Sequence, residues 1–235
     1  MAGVFYGVGV GPGDPGLLTL QAVEIIKEAD VIIAPRTQKK AVSTALAIAR
    51  SFISPQARIE KLIFPMVYHH ETLSTAWEGN KTIILEYLQK GNKVVFLTLG
   101  DPMLYSTFIY VYRLLKDCGY PIITVPGIPS FCAIASRLGL PLAEGNEKLC
   151  IVPATNEEQE LDEALQIAGN LVLMKVYKNY HQVVEKLKNQ DYLENSVMVS
   201  KCGLEDEEIT YNLAEVTEDK KINYLSTVIA KRKNF

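Results

Sequence analysis

The sequence predicts an α/β protein. Short apolar runs typical of buried strands alternate with segments of helical periodicity along almost the whole chain. Two of these runs lead directly into loops rich in glycine and proline, at residues 9–15 and 100–107. Because domains usually span roughly 100–200 residues, 235 residues allow two. We predict an N-terminal α/β domain at residues 1–118, which carries both loops, and a C-terminal α/β domain with antiparallel strands at 119–235.

The first domain is predicted to alternate four strands with four helices. The strands fall at residues 4–10, 31–34, 59–63 and 93–99. The helices run from Thr19 to just before Asp30 and at residues 41–50, 78–90 and 106–116. Thr19 can cap the first helix because a threonine oxygen accepts backbone N–H groups at a helix start. Gly91 occupies the C′ position of the third helix.

The second domain is predicted to open with a strand at residues 120–125. Ser130 can cap a helix at 131–137, and further helices run through Leu161 and Leu165 and near Val183 and Leu187. Strands are expected at 149–152, 171–175 and 197–200. The end of the chain, at 209–213 and 225–230, is expected to form antiparallel β-structure.

Composition and charge exclude several classes of protein. With 24 Lys and Arg against 27 Asp and Glu the net charge is −3, and basic residues occur only in short clusters, so nucleic acid is not an expected partner. No apolar run approaches the ~20 residues that cross a bilayer, and the N-terminal pattern is not that of a signal peptide. We therefore expect a cytoplasmic protein that does not bind membranes.

Cysteine and histidine spacing does not predict a metal site or a disulfide framework. The cysteines are far apart and form no C-x-x-C pair, so reduced thiols are expected. The histidines likewise lack the spacing of metal ligands. These residues are Cys118, Cys132, Cys150, Cys202, His69, His70 and His181.

The two glycine- and proline-rich loops predict a binding site for one small polar cofactor. The first reads Gly-Val-Gly-Pro-Gly-Asp-Pro from Gly9. Read from Gly7, the pattern Gly7-x-Gly9-x-x-Pro12 is not a dinucleotide fingerprint, because Pro12 stands where a third glycine would pack helix on strand. Proline lacks an N–H and has a fixed φ, so this loop is stiff. Both loops follow strands, and ligands of α/β sheets bind at the carboxyl ends of strands, which favours a shared site.

Several motifs, taken together and in order, resemble the tetrapyrrole methylases, which use S-adenosylmethionine and mostly act on cobalamin and sirohaem precursors. They are Gly9-x-Gly11-Pro12-Gly13-Asp14, Leu17-Leu18-Thr19, Ala29-Asp30-Val31, Gly100-Asp101-Pro102 and Pro126-Gly127-Ile128. The resemblance covers essentially the whole chain. It implies a two-domain fold with the cofactor in the cleft between the domains, and a homodimer.

Within that family the chain is most similar to the methyltransferases that act on C20 of precorrin-2 or cobalt-factor II. The features are Ala34-Pro35-Arg36, Phe64-Pro65-Met66, Trp77 and the string from Gly100 to Thr107. The branch that methylates uroporphyrinogen usually has an aspartate, proposed as its base, where this chain has Pro35. Pro129 stands where the group usually has threonine or serine, which removes a possible hydroxyl contact.

The resemblance implies which residues bind the cofactor and the substrate. Pro12 would pack beside the cofactor, and the loop after residues 93–99 would surround its amino-acid and ribose parts through Leu99, Gly100, Asp101, Met103 and Leu104. Pro129, Ser130, Met174 and Gly203 would enclose the adenosine end. Arg36 and Tyr105 are the candidates for binding the substrate. Because a meso carbon of a reduced tetrapyrrole is already electron-rich, the enzyme needs no strong nucleophile of its own. No catalytic base is assigned: a side chain, a water molecule and the macrocycle itself stay open as acceptors of the displaced proton.

Some roles stay open at this level. Asp101 either accepts hydrogen bonds from the cofactor or is a turn residue that caps the next helix. Lys39 and Lys40 either bind substrate carboxylates or form a solvated basic loop. His69 and His70 either flank the macrocycle or cover a loop. Trp77 has the spacing of a core residue.

Three other functions are compatible with this sequence. One is methylation at a different tetrapyrrole position, and another is methylation of a macromolecule by the same fold, either ribosomal RNA or the diphthamide precursor. An RNA substrate would call for a basic stripe, and the sequence has none. The last is a protein that binds the cofactor without turning it over.

Overall fold

The computed structural model describes residues 2–36, 43–64, 70–154, 158–217 and 219–232. The chain divides into two compact units, Met1–Pro129 and Ser130–Phe235. This division falls later than the predicted boundary after residue 118. The reason is that the strand at Ile122–Val125 pairs with Val4–Gly9 and so completes the sheet of the first unit. The predicted α/β class is confirmed.

The first unit is a five-stranded parallel sheet with helices. Its strands are β1 (Val4–Gly9), β2 (Val31–Ile33), β3 (Arg58–Glu60), β4 (Lys93–Thr98) and β5 (Ile122–Val125). They lie in the order β3-β2-β4-β1-β5, and every pairing is parallel. The helices are α1 (Leu20–Lys27), α2 (Thr44–Ala49), α3 (His70–Gln89) and α4 (Thr107–Leu115). The carboxyl ends of all five strands therefore lie at one edge of the sheet.

The helix ends of the first unit follow local chemistry. The hydroxyl of Thr19 accepts the Ala22 N–H at 3.2 Å, which confirms it as the cap of α1. Gly91 has a φ of +82° after α3, and its N–H bonds to the Leu88 carbonyl at 3.0 Å. The helix itself begins at His70, earlier than predicted.

An aromatic cluster forms much of the core of the first unit. The Phe96 ring lies 6.4 Å from that of Phe5, 5.9 Å from that of Phe108 and 5.5 Å from that of Phe64. Trp77 packs edge-on against Phe64 at 5.0 Å. The prediction of Trp77 as a core residue fits these contacts, and the cluster supports α3 and α4 on one face of the sheet.

In its described residues, the second unit consists of a mixed five-stranded sheet and three α-helices. Its strands are β6 (Leu149–Pro153), β7 (Asn170–Met174), β8 (Ser196–Ser200), β9 (Glu208–Thr210) and β10 (Ser226–Lys231), in the order β6-β7-β10-β8-β9. The helices are α5 (Ser130–Leu138), α6 (Glu158–Ile167) and α7 (Tyr180–Asn189). β10 is antiparallel to both β7 and β8, so these two strands end at the same edge.

Two predictions for the second unit differ from the structure in detail. Ser130 is the first residue of α5 rather than its cap, and its hydroxyl pairs with that of Thr227. The strand predicted at 209–213 is shorter, because residues 213–215 form a 3₁₀ turn anchored by the buried Leu213. No helix within the described part of the chain has the length and apolar character needed to cross a membrane.

Candidate functional site

The glycine- and proline-rich loops meet at the carboxyl edge of the first sheet. Since the strand order is β2-β4-β1-β5, the segments that follow these strands lie side by side in the same order. Arg36 follows β2, the Gly-Asp-Pro loop follows β4, the first glycine-rich loop follows β1, and residues 126–129 follow β5. The structure thus brings together Arg36, the Gly-Asp-Pro loop, the first glycine-rich loop and the Pro126-Gly127-Ile128 motif.

Backbone hydrogen bonds join the loop after β1 to the loop after β4. The Gly100 N–H donates to the Gly11 carbonyl at 2.8 Å, and the Gly11 N–H donates to the Gly100 carbonyl at 3.3 Å. Both glycines have a positive φ, +76° at Gly11 and +70° at Gly100, which other residues adopt at a cost. The two loops therefore hold one another through their main chains.

The three loops after β4, β1 and β5 approach so closely that no side chain fits between them. A Cβ atom on Gly9 would lie 2.6 Å from both the Gly100 carbonyl oxygen and the Gly127 nitrogen. A Cβ atom on Gly127 would lie 2.2 Å from that same oxygen. By contrast, the nearest described heavy atom to a Cβ on Gly100 is the Pro129 Cα, 4.0 Å away. The backbone at Gly100 is therefore open on that side.

Asp101 connects two of these loops through its side chain. Its Oδ1 accepts the Met103 N–H at 2.8 Å within the loop after β4. Its Oδ2 accepts the Gly127 N–H at 3.0 Å in the loop after β5. Because a carboxylate oxygen has two lone pairs, each oxygen keeps capacity for one more donor. The turn role that the sequence left open for Asp101 is thus present in the structure.

The rest of the loop after β4 is partly exposed. Met103 and Tyr105 are 48% and 42% exposed, and Leu99 and Leu104 are half-buried. Tyr105 has a φ of +49°, in the left-handed region. Buried Ser106 donates a hydrogen bond to the Pro102 carbonyl just before α4 begins. The loop therefore presents apolar and aromatic side chains from a rigid base.

Pro12 is buried at the start of the loop after β1, and Pro129 is half-buried beside Gly100. Both therefore lie in the region where the resemblance places the cofactor.

Arg36 stands at the same edge, at the end of β2. Its N–H donates to the Leu62 carbonyl at 2.9 Å, and its carbonyl accepts the Phe64 N–H at 2.8 Å, so the chain continues beside β3. The side chain is half-buried. Lys39, Lys40 and His69, together with part of the Phe64-Pro65-Met66 motif, lie outside the described residues, and for His70 only its place at the start of α3 is described.

In the second unit, Ser130 and Met174 are both neighbours of Thr227. The Ser130 and Thr227 hydroxyls are 3.3 Å apart, and Thr227 pairs with Met174 across the β10–β7 ladder. Gly203 follows β8 with a φ of +78°, and its N–H donates to the Glu207 carboxylate at 2.6 Å. β7 and β8 end at one edge, so the three predicted residues of this unit share it.

Sequence reasoning missed Thr227 and two lysines at this edge. Lys175 and Lys201 directly follow β7 and β8, and both have a positive φ, +61° and +55°. Burial lowers the pKa of Lys175, while Lys201 forms an ion pair with Asp206. For Lys201, its place directly after the strand predicted at 197–200 was the available signal, whereas Lys175 and Thr227 fell within predicted strands. The left-handed conformation of the two lysines is not readable from residue type.

Comparison with known proteins extends over nearly the whole chain. The Tetrapyrrole (Corrin/Porphyrin) Methylases match residues 4–217. A probable cobalt-precorrin-2 C(20)-methyltransferase of Methanocaldococcus jannaschii is 38% identical over 97% of this chain and 95% of its own. A cobalt-precorrin-2 C(20)-methyltransferase of Salmonella typhimurium is 35% identical over 99% and 98%.

A solved structure has the same fold. A cobalt precorrin-4 methyltransferase of cobalamin biosynthesis superposes with a TM-score of 0.77, at 24% identity, over 97% of this chain and 94% of its own. Residues 4–217, which match the family, contain all three loops that meet at the carboxyl edge of the first sheet. On the extent of these matches, the chain belongs to the tetrapyrrole methylases.

Proposed function

We propose that this protein transfers a methyl group from S-adenosylmethionine to C20 of cobalt-precorrin-2, a step of cobalamin biosynthesis. The observation that carries the proposal is similarity at 35–38% identity, over almost the full length of both chains, to two relatives named for that reaction. The Gly-Asp-Pro loop supports it, because it packs against Gly9 and Gly127 at the position where the resemblance assigns the cofactor.

The residues at the carboxyl edge of the first sheet fit a cofactor of this kind. The open side of Gly100 lets a ligand approach the main chain closely, as a side chain there would not. Half-buried and exposed apolar side chains flank that position. We infer that the first unit's part of the S-adenosylmethionine site is formed by Pro12, Leu99, Gly100, Asp101, Met103, Leu104 and Pro129, either by contact with the cofactor or by holding the loops in place.

Three residues of the second unit complete the proposed cofactor set. Ser130 supplies a hydroxyl, Met174 an apolar side chain, and Gly203 a backbone without a side chain. The resemblance assigns them to the adenosine end. Their position at one edge of their sheet supports this assignment, because ligands of such sheets bind beyond strand ends.

The proposed methyl transfer depends mainly on how the protein positions its two reactants. When bound, S-adenosylmethionine supplies a methyl group on a positively charged sulfur, whose C–S bond breaks as a C–C bond forms at C20. Correct positioning of two reactants is worth roughly 7–11 kcal/mol of the barrier. The rigid loops fulfil this role. No side chain is assigned to remove the proton that C20 loses.

The substrate carries carboxylates around its rim, and we assign its recognition to Arg36 and Tyr105. Arg36 follows β2, the strand next to β4, so it borders the Gly-Asp-Pro loop. A guanidinium forms charge-assisted hydrogen bonds with carboxylates. Tyr105 exposes an aromatic ring from the same loop.

We also propose that the protein is a homodimer, as the resemblance implies, and that it is located in the cytoplasm. All four cysteines are free thiols, which fits a reducing compartment. Light scattering coupled to size-exclusion chromatography tests the dimer, with twice the mass of the chain as the expected result and the mass of one chain as the contrary one.

The proposed reaction is tested by anaerobic incubation of the purified protein with S-adenosylmethionine and either cobalt-precorrin-2 or metal-free precorrin-2. We expect S-adenosylhomocysteine to form in step with loss of the cobalt-containing substrate. Turnover of the metal-free compound alone would move the protein to the other branch of the pathway. Cofactor binding without turnover of either compound would contradict the assignment.

A further inference from the structure

We propose that Asp101 is a positioning residue for cofactor binding, one that holds the loop after β4 against the loop after β5 instead of serving as a direct ligand. The inference rests on the proposed function and specifies how one residue of that site acts. It starts from the two hydrogen bonds that the carboxylate accepts from Met103 and Gly127.

These two bonds differ in reach. The bond from Met103 closes a turn within the loop, an ordinary role for aspartate. The bond from Gly127 joins residues 26 positions apart. It also joins the loops that follow two strands, β4 and β5, which are not neighbours because β1 lies between them. Two strand spacings amount to about 9.6 Å, so the loops must converge over the end of β1 for this bond to form.

The end of β1 is shaped for that convergence. β1 ends at Gly9, and a Cβ atom there would collide with both Gly100 and Gly127. Without side chains in this space, the backbone of Gly100 bonds to that of Gly11, and the next residue, Asp101, is tied to Gly127 through its carboxylate. Asp101 therefore fixes the segment whose open face at Gly100 we assign to the cofactor.

Substitutions can separate the two hydrogen bonds. Asp101→Asn keeps the size of the side chain but leaves one acceptor oxygen, so an N–H of the loops loses its partner. Asp101→Ser keeps a short acceptor for the local turn but cannot reach Gly127. This variant replaces Asp101→Asn in the experiment if the asparagine variant folds poorly. Asp30→Asn is the matched control, because Asp30 accepts the Lys93 N–H at 2.7 Å where β4 begins, at the opposite edge of the sheet.

The experiment combines two measurements on wild-type and variant proteins. Hydrogen exchange of the Gly127 amide is followed by NMR in the ligand-free protein, and the dissociation constant of S-adenosylhomocysteine is measured by calorimetry. For Asp101→Asn and Asp101→Ser we expect exchange at Gly127 to accelerate and binding to weaken, each about tenfold, the size expected for one hydrogen bond to a charged group. Asp30→Asn should change neither.

The contrary outcomes are distinct. Weaker binding with unchanged exchange at Gly127 would show that the carboxylate contacts the ligand directly and would overturn the positioning role. Faster exchange with unchanged binding would overturn it too, since the bond would then be structural only. Failure of the wild-type protein to bind S-adenosylhomocysteine would instead contradict the proposed function, while the exchange data would still report whether Asp101 holds Gly127.

Discussion

The carbonyl oxygen of Gly100 lies 2.2 Å from the point that a Cβ atom would occupy on Gly127. Backbone atoms cannot yield as a flexible side chain can, so any larger residue at position 127 must push the loops after β4 and β5 apart. The same displacement would break the bond between Asp101 and Gly127. The close packing of the loops after β4 and β5 and the hydrogen bond between Asp101 and Gly127 therefore depend on each other.

Gly127→Ala is therefore expected to destabilise the protein by about 1–3 kcal/mol, as overpacking does, and to weaken binding of S-adenosylhomocysteine. Thermal unfolding and calorimetry measure the two effects. Gly79→Ala in α3 is the control, because a Cβ there meets nothing within 4 Å. It should stabilise the helix by about 0.5–1 kcal/mol. Equal stabilities of the two variants would contradict the packing argument.

Two residues with a left-handed backbone, Asp191 in a turn of the second unit and Tyr105 in the proposed site, allow a comparison. Asp191 follows α7 with a φ of +58° and is exposed. Asp191→Gly should raise stability by about 0.5 kcal/mol, because glycine adopts this conformation without strain, and should leave activity unchanged.

Tyr105→Gly relieves the strain of a left-handed backbone within the proposed site, but it also removes the exposed aromatic ring. We expect unchanged or higher stability and a KM for the tetrapyrrole raised about threefold to tenfold, in line with the ~0.5–1.5 kcal/mol of an aromatic contact. An unchanged KM would remove Tyr105 from the substrate site.

A buried hydroxyl at the end of β4 predicts a stabilising substitution. Within the described residues, Thr98 Oγ1 has no hydrogen-bond partner, although the residue is only 6% exposed. Thr98→Val should raise the free energy of unfolding by about 1 kcal/mol, because an unpaired buried hydroxyl is costly. Ser200→Ala makes the contrast, since the Ser200 and Ser226 hydroxyls are paired at 2.7 Å. That change should destabilise, and a loss of stability in both variants would show that Thr98 has a partner.

Stability should fall at alkaline pH as Tyr180 ionises. Burial raises the pKa of Tyr180 from 10.0 to about 12, and its hydroxyl donates to the Leu213 carbonyl at 2.8 Å. A pKa raised by folding stabilises the protein fully below pH 10, and that contribution disappears as pH rises towards 12. Tyr180→Phe should flatten the fall in the free energy of unfolding between these values, measured in denaturant. Burial also raises the pKa of Tyr192 and Tyr224, so a residual slope is expected. An unchanged slope would contradict the assignment to Tyr180.

Much of the first unit could be predicted because its signals are local. Apolar runs mark the parallel strands, Thr19 caps α1, and Gly91 ends α3. The boundary between the two units could not be predicted, because the residue pattern at 120–125 is the same whichever sheet the segment joins. Its pairing with β1 depends on contacts between distant residues.

The composition of the site was predictable in part. Loops at the ends of parallel strands share one edge, so grouping the Gly-Asp-Pro loop with the first glycine-rich loop required only the fold class. The partner of Asp101, 26 residues away, and the pairing of Ser130 with Thr227 could not be read from the sequence. Both are hydrogen bonds between segments whose approach is decided by tertiary packing.

The position of the transferred methyl group is the most direct test of the proposed function. The protein is incubated anaerobically with cobalt-precorrin-2 and S-adenosylmethionine carrying a ¹³C-labelled methyl group, and the product is analysed by mass spectrometry and NMR. We predict one added methyl group, bonded to C20. A label at another carbon of the macrocycle, or no label in the product, would contradict the assignment.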